Sequence, residues 1–271
     1  MIKQAIIPLA GLGTRLLPLT SVFAKELLPI NGRPGLEYIL DECIHAGIKE
    51  VVFIISKKKM MIKNYFYKDN FYKSIIKKKK DPKIIEEYKK ILKYKKMIKF
   101  VYQNKPLGTG DAVLKTKKFI KNKFFLMLLP DDLIINKNCS KTMIKVHNRY
   151  KSSVMASMKV DKDSVSRWGI YKLSKKLDKH NYLINDVIEK PSIKTAPSNK
   201  AVIGRYILPK SIFLKLRKQK PSKDGEIHIT DAIQSLIKDK NKFIAHNFSG
   251  KYLDCGSMQG YIKSTLEISK L

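Results

Sequence analysis

The segment Leu9-Ala10-Gly11-Leu12-Gly13-Thr14-Arg15-Leu16-Leu17-Pro18 gathers the groups best suited to phosphate chemistry. Its two glycines let backbone N–H groups approach a phosphate chain, and Thr14 and Arg15 add a hydroxyl and a neutralising cation. The spacing is not GxxxxGK[ST], and a GxGxxG fingerprint would need glycine where Leu16 stands. By itself such a turn is as often a bare connection between a strand and a helix. Further candidates follow along the chain: Lys25-Glu26, Gln103, Gly108, Asp131-Asp132, Gly169, Glu189-Lys190 and Asp254-Cys255-Gly256. Each has a plain structural reading. Lys25 could be one of many solvated lysines, Glu189-Lys190 a solvated pair before Pro191, and Asp131-Asp132 a cap on the next segment. Asp161-x-Asp163 mimics a metal motif, but its loop-like surroundings favour a solvated role. Trp168 reads as core and His228 as structural. Cys43, Cys139 and Cys255 form no CxxC, and the five histidines form no HExxH. The sequence therefore indicates a reducing, cytoplasmic compartment and argues against zinc or a Cys/His nucleophile.

These residues need a scaffold, and the hydrophobic pattern predicts one. Gln4 to Leu9 is a short apolar run ending at the glycine turn, as a buried parallel strand would. Pro34 to Ala46 has helical spacing, with proline near its start and Gly47 past its end. Val51 to Ile55 is a second strand, giving a βαβ beginning and a right-handed crossover. The lysine-dense stretch 57–99 keeps helical periodicity at Ile84, Ile85, Tyr88, Ile91 and Leu92, which indicates surface helices. Strands are expected at Ile98 to Tyr102 and Phe124 to Leu129, and helices at Gly110 to Ile120 and Lys141 to Tyr150. From about residue 151 the pattern changes to Ser153 to Lys159, Gly169 to Leu173, Ile184 to Glu189 and Ala201 to Leu208, all strand-like with polar turns between. Helices follow at Lys210 to Lys218 and Asp231 to Lys238, the second with Thr230 as its expected cap. The expected fold is α/β, an open, mainly parallel sheet with helices on both faces. It forms one domain over 1–271, with a first part at about 1–150 and a second at about 151–260 that returns to the sheet.

Composition narrows the classes further. The chain has 271 residues, 44% of them hydrophobic, enough to bury a core without a disulfide or metal staple. Its longest apolar runs are strand-length, well short of a membrane span. The N-terminal apolar run is cut by Gly11, Gly13 and Arg15 before any cleavage site, so it does not read as a signal peptide. The 56 Lys and Arg against 23 Asp and Glu give a formal charge of +33. Lysines are dispersed through nearly every segment, arginines are few, and no nucleic-acid recognition motif accompanies them. The charge reads as enrichment of solvated faces, with no specific nucleic acid as partner, though its field would attract small anions.

Taken together and in order, the segments resemble the sugar-phosphate nucleotidylyltransferase family, and within it the bacterial members that take UTP and glucose 1-phosphate. The glycine turn with Lys25-Glu26-Leu27-Leu28-Pro29 resembles the pair G-x-G-T-R-x-x-P-x-T and P-K-E-[ML]-L-P, except that Ala24 stands where proline is usual. Gln103 with Pro106-Leu107-Gly108-Thr109-Gly110-Asp111-Ala112-Val113 resembles a base-recognition segment. Pro130-Asp131-Asp132, Trp168-Gly169, Val187-Ile188-Glu189-Lys190-Pro191, Val202-Ile203-Gly204-Arg205-Tyr206, Glu226-Ile227-His228-Ile229-Thr230-Asp231-Ala232 and Asp254-Cys255-Gly256 complete the pattern, from Ile2 to about Tyr261.

The resemblance implies an enzyme joining UTP to glucose 1-phosphate, giving UDP-glucose and pyrophosphate with Mg²⁺. It implies Arg15 and Lys25 as catalytic cations, and Ala10, Gly11, Gly13, Thr14, Gln103 and Gly108 around the nucleotide. It also implies Gly169, Glu189, Lys190 and Val202 around the sugar phosphate, and Asp131 and Asp254 as metal ligands. A dTTP-dependent relative, a non-catalytic regulatory paralogue and a nucleic-acid-binding protein are the alternatives. The first group usually has Gly-Asp where Pro130-Asp131 stands, and intact Thr14, Arg15, Lys25, Asp131 and Asp254 argue against the second. The family continues past Tyr261 through a helical segment that often supports subunit contacts, so a homo-oligomer is left open.

Overall fold

A computed structural model describes residues 1–270. The chain opens with β1 (Gln4–Pro8), a small ribbon of β2 (Pro29–Ile30) and β3 (Arg33–Pro34), α1 (Gly35–His45) and β4 (Glu50–Ile55). Three helices follow, α2 (Met60–Tyr67), α3 (Asn70–Lys79) and α4 (Pro82–Met97), before β5 (Ile98–Tyr102). Next come α5 (Gly108–Lys115), β6 (Phe124–Leu128), β7 (Asp132–Ile135) and α6 (Cys139–Tyr150). The remainder is β8 (Ser153–Lys159), β9 (Gly169–Lys176), β10 (Asn181–Glu189), β11 (Lys200–Pro209), α7 (Ile212–Lys218), α8 (Ile229–Lys238), β12 (Phe243–Asn247), β13 (Lys251–Asp254) and α9 (Met258–Ile268).

Nine strands form one sheet in the order β5-β4-β1-β6-β11-β8-β12-β10-β9. From β5 to β6 every pairing is parallel, and these strands are apolar almost throughout because helices cover both faces. One face packs Leu36, Ile39, Leu40 and Cys43 of α1 with Met143 and Val146 of α6. The other packs Val113 of α5, Phe213 and Leu216 of α7, and Ile233 and Leu236 of α8. The expectation of a mainly parallel sheet describes this first half alone. Beyond β6 the sheet is mixed: β11 runs antiparallel to both β6 and β8, β12 runs parallel to β8, and β10 runs antiparallel to β12 and to β9. The reason for the last pairing is local, since β9 and β10 are joined by a polar turn too short for a crossover.

Other differences bear on the site. Helix α5 stops at Lys115 rather than Ile120, because Thr116 is buried and turns its hydroxyl back to the Val113 carbonyl at 2.7 Å. Helix α8 begins at Ile229, so Thr230 lies inside it and gives no cap. The lysine-rich excursion is helical, as its periodicity suggests. It buries Ile62, Phe66, Ile91 and Tyr94 against Phe53 of β4 and leaves its lysines mostly outside. The pattern did not suggest that β7 and β13 pair as a separate antiparallel ribbon, with Asp132 opposite Asp254.

Candidate active site

Chain order sends β1 to β4 on one side and brings β6 in on the other. A crevice opens where the connections diverge, outside the carboxyl ends of β1 and β6, which is where open α/β sheets take ligands. Two chambers occupy it. The first, about 480 Å³, is lined by Ala10, Gly11, Gly13 and Thr14 after β1, by Lys25 and Glu26, and by Gln103 and Gly108. The second, about 780 Å³, is lined by Arg15, Gly169, Glu189, Lys190, Val202 and Asp254. Asp131, just past β6, lies on the wall of both. Every residue that the resemblance implies at the site therefore borders one chamber or the other.

Asp131 is the centre of charge. Its Oδ2 lies 2.7 Å from Lys25 Nζ and 3.6 Å from Arg15 Nη2. Burial alone would lower the Lys25 ammonium pKa, but Asp131 and Glu26 more than offset it and hold it above the ordinary lysine value. Burial would likewise raise the Asp131 carboxyl, and Lys25 brings it below the usual carboxylate range. Lys25 comes from a tight turn at Lys25–Leu27 and Arg15 from one at Thr14–Leu16, opened by Gly13 at φ +72°. A Cβ at Gly13 would meet the Thr20 methyl at 3.0 Å, so conformation and space both call for glycine there.

The β7–β13 ribbon delivers the second carboxylate. The Cys255 N–H donates to the Asp131 carbonyl at 2.7 Å, and the Gly256 N–H donates to Asp254 Oδ1 at 2.8 Å. A side chain at Gly256 would meet Arg15 Nη2 at 2.7 Å, Asp131 Oδ2 at 2.8 Å and Asp254 Oδ1 at 3.1 Å. The bare α-carbon thus keeps open a space on which both carboxylates converge. Two anionic oxygens from separate segments are the donor set of a hard divalent cation, so these residues fit such an ion. Asp132, the neighbour, turns away into Tyr252 OH at 2.7 Å and the Gly204 N–H at 2.8 Å. Burial and the nearby Asp131 push its carboxyl up to about 6.

In the first chamber Gln103 is buried, and its amide nitrogen donates to the Gly108 carbonyl at 3.1 Å and to Asp111 Oδ2 at 2.8 Å. Both partners accept only, which fixes the amide orientation and leaves its oxygen as the group able to accept from a ligand. In the second chamber a Cβ at Gly169 would meet Val202 at 3.1 Å and Glu189 Oε2 at 3.2 Å. Lys190 holds the left-handed region at φ +44°, an uncommon position for a side chain and one that marks local constraint.

Arg167, Lys59, Ile227 and Thr230 were not named as site residues from the sequence. Arg167, which lines the second chamber, reaches within 4.0 Å of Asp254 Oδ2. Buried Glu26 accepts from Lys59 Nζ with both oxygens at 2.8 Å. Ile227 is held to the Gly108 turn by its N–H on the Leu107 carbonyl at 2.9 Å and by its carbonyl under the Gly110 N–H at 2.7 Å. Thr230 donates to Glu189 Oε2 at 2.8 Å. Ile227 and Thr230 sat in a quoted motif; Arg167 and Lys59 were hidden among other basic residues.

A two-chambered crevice with cations around a half-buried carboxylate pair suits a phosphate-handling transferase, and similarity to known proteins agrees. The Nucleotidyl transferase family model matches residues 4–270, and the chain belongs to that family. It is similar to UTP–glucose-1-phosphate uridylyltransferase 2 of Streptococcus pyogenes serotype M3, 38% identical over 98% of this chain and 90% of the relative. A UDP-glucose pyrophosphorylase solved in complex with UDP-glucose is 36% identical, with a TM-score of 0.87 over 100% of this chain and 99% of its own. A UTP-bound UGPase from Acinetobacter baumannii is 32% identical, with a TM-score of 0.90 over 99% of this chain and 93% of its own.

Proposed function

We propose that this chain transfers the uridylyl group of UTP to glucose 1-phosphate, giving UDP-glucose and pyrophosphate. The observation that carries the reading is the junction at Asp131, where a chamber suited to a nucleotide meets one suited to a sugar phosphate beside two cations. A phosphate oxygen of the sugar phosphate attacks the α-phosphorus. The new P–O bond forms as the α–β bridge breaks, and pyrophosphate leaves with the bonding pair. Both reactants are anions, so the protein's task is to suppress repulsion and hold them in line.

Each residue then has a task. The Gln103 amide oxygen accepts from the uracil ring N–H, beside the backbone at Gly108. Ala10, Gly11, Gly13 and Thr14 present backbone and hydroxyl groups to the triphosphate. Lys25 meets the charge that develops at the reacting phosphate, and Arg15 holds the departing pyrophosphate. Lys190 grips the sugar phosphate, Glu189 accepts from sugar hydroxyls, and Gly169 and Val202 shape the ring's bed. Mg²⁺, held by Asp131 and Asp254, would neutralise phosphate oxygens and orient them. The free, widely separated cysteines support a cytoplasmic setting, and among the described residues no helix is long and apolar enough to cross a membrane.

The test is pyrophosphate release over a grid of four nucleoside triphosphates and several sugar 1-phosphates. UTP with glucose 1-phosphate should give the highest kcat/KM. A higher value with dTTP would move the chain to the thymidylyl reading, and no turnover with any pair would overturn the enzymatic one.

A further inference from the structure

The sequence suggests Thr230 as the N-cap of α8. Instead it lies one residue inside the helix, and its hydroxyl leaves the backbone to donate to Glu189 Oε2 at 2.8 Å. Thr230 is 6% exposed, so this hydroxyl is withheld from water and its one side-chain bond is to the carboxylate. We infer that Thr230 is a positioning residue that selects which oxygen of Glu189 meets the sugar, and so sets how sharply the enzyme reads sugar hydroxyls. The inference rests on the sugar-phosphate reading of the second chamber.

The geometry supports it at three points. The same oxygen, Oε2, also lies 3.2 Å from where a Gly169 side chain would begin, so it faces the Gly169 backbone while bonded to Thr230. That leaves Oε1 as the oxygen without a hydrogen bond among the described residues. Thr230 is itself held on both sides. Upstream, Ile227 is bonded to Leu107 and Gly110 of the nucleotide chamber. Downstream, Gln234 Nε2 donates to the Val187 carbonyl of β10, two residues before Glu189, at 3.3 Å. A carboxylate on a free side chain could rotate to present either oxygen. Donation from a rigid neighbour removes that freedom, and recognition of a hydroxyl by one fixed acceptor is the kind that strongly rejects an analogue lacking it.

The test compares glucose 1-phosphate with its 2-deoxy and 3-deoxy analogues, each with saturating UTP, in the wild type, Thr230→Val and Thr230→Ser. Turnover of UTP with glucose 1-phosphate by the wild type establishes the underlying reading separately; its absence would sink that reading first. Given turnover, Thr230→Val should raise KM for glucose 1-phosphate about tenfold. KM for UTP should stay within about twofold, and the preference over at least one deoxy analogue should collapse. Thr230→Ser, which keeps the hydroxyl, should retain the preference. Glu189→Ala combined with Thr230→Val should be no worse than Glu189→Ala alone, because Thr230 acts through that carboxylate. If the valine variant does not fold, Thr230→Ala takes its place in each comparison. An unchanged deoxy preference, equal rises in both KM values, or an additive double variant would overturn the inference.

Discussion

Lys25 and Arg15 reach the same oxygen of Asp131 from unlike surroundings: the lysine side chain is 14% exposed and the arginine 62%. The buried cation is held against Asp131, whereas the exposed one has room to move, as the proposed hold on a leaving group requires. Lys25→Ala should therefore lower kcat by about 100-fold or more while the fold survives. Near-normal kcat would return Lys25 to the role of a structural counter-ion for Asp131. Arg15→Lys should recover only part of what Arg15→Ala loses, since an ammonium lacks the two-pronged fork. Asp131→Asn and Asp254→Asn should each abolish most turnover, and the pair together should cost little more than one, as both border one space at Gly256. Asp132→Asn should be milder, because an amide can keep the bonds to Tyr252 and Gly204. Activity in excess chelator, or a larger defect at Asp132 than at Asp131, would contradict this division. These residues were singled out because their motifs recur in a fixed order, not because of their types. Arg167 and Lys59 were not, since one cation among 56 carries no mark until its partner is seen.

At the scale of elements, two glycines bear the site's shape. At Gly110 a Cβ would sit 2.6 Å from the Ile227 carbonyl. Gly110→Ala should push the 222–230 segment off the nucleotide chamber and raise KM for UTP several-fold, with kcat less affected. A change confined to the sugar's KM would count against that link. Gly256→Ala would place a methyl among Arg15, Asp131 and Asp254, and should cost activity without loss of fold, read by kcat against thermal midpoint. Most strands and helices were legible from periodicity. The β7–β13 ribbon was not, because its two halves are short and their pairing depends on chain far apart in sequence. The same holds for the mixed half of the sheet, since alternation predicts a strand but not its direction.

The whole molecule carries its charge outside and a few polar groups within. Arg205 is fully buried and donates to Glu42, the Leu129, Gly204 and Asp132 carbonyls, tying α1 to the strand ends below the site. Arg205→Met should destabilise by about 3–5 kcal/mol in denaturant unfolding, because it strands a buried carboxylate. His246 is buried beside Asn181, and burial lowers its pKa to about 4 against 6.5 in an open chain. A group that takes up its proton only on unfolding favours the fold most above the open-chain value. That contribution, about 3 kcal/mol at most, should fade as pH falls from 6.5 toward 4. A thermal midpoint falling over that range, and falling less in His246→Phe, is the expected result. The +33 charge should give only non-sequence-selective nucleic-acid binding that weakens steeply with salt, measured by gel shift across a salt series.

The β7–β13 ribbon also has a consequence for synthesis. Its facing residues, Asp132 and Asp254, are separated by most of the second half of the chain. While the polypeptide emerges from the ribosome, the glycine turn, Lys25 and Gln103 can assemble on the parallel strands well before residue 254 exists. A nascent chain could thus acquire a nucleotide-shaped chamber while lacking the second carboxylate. On the proposed reading of Asp254 as a metal ligand, competence to cleave a triphosphate is expected only once β13 has paired with β7.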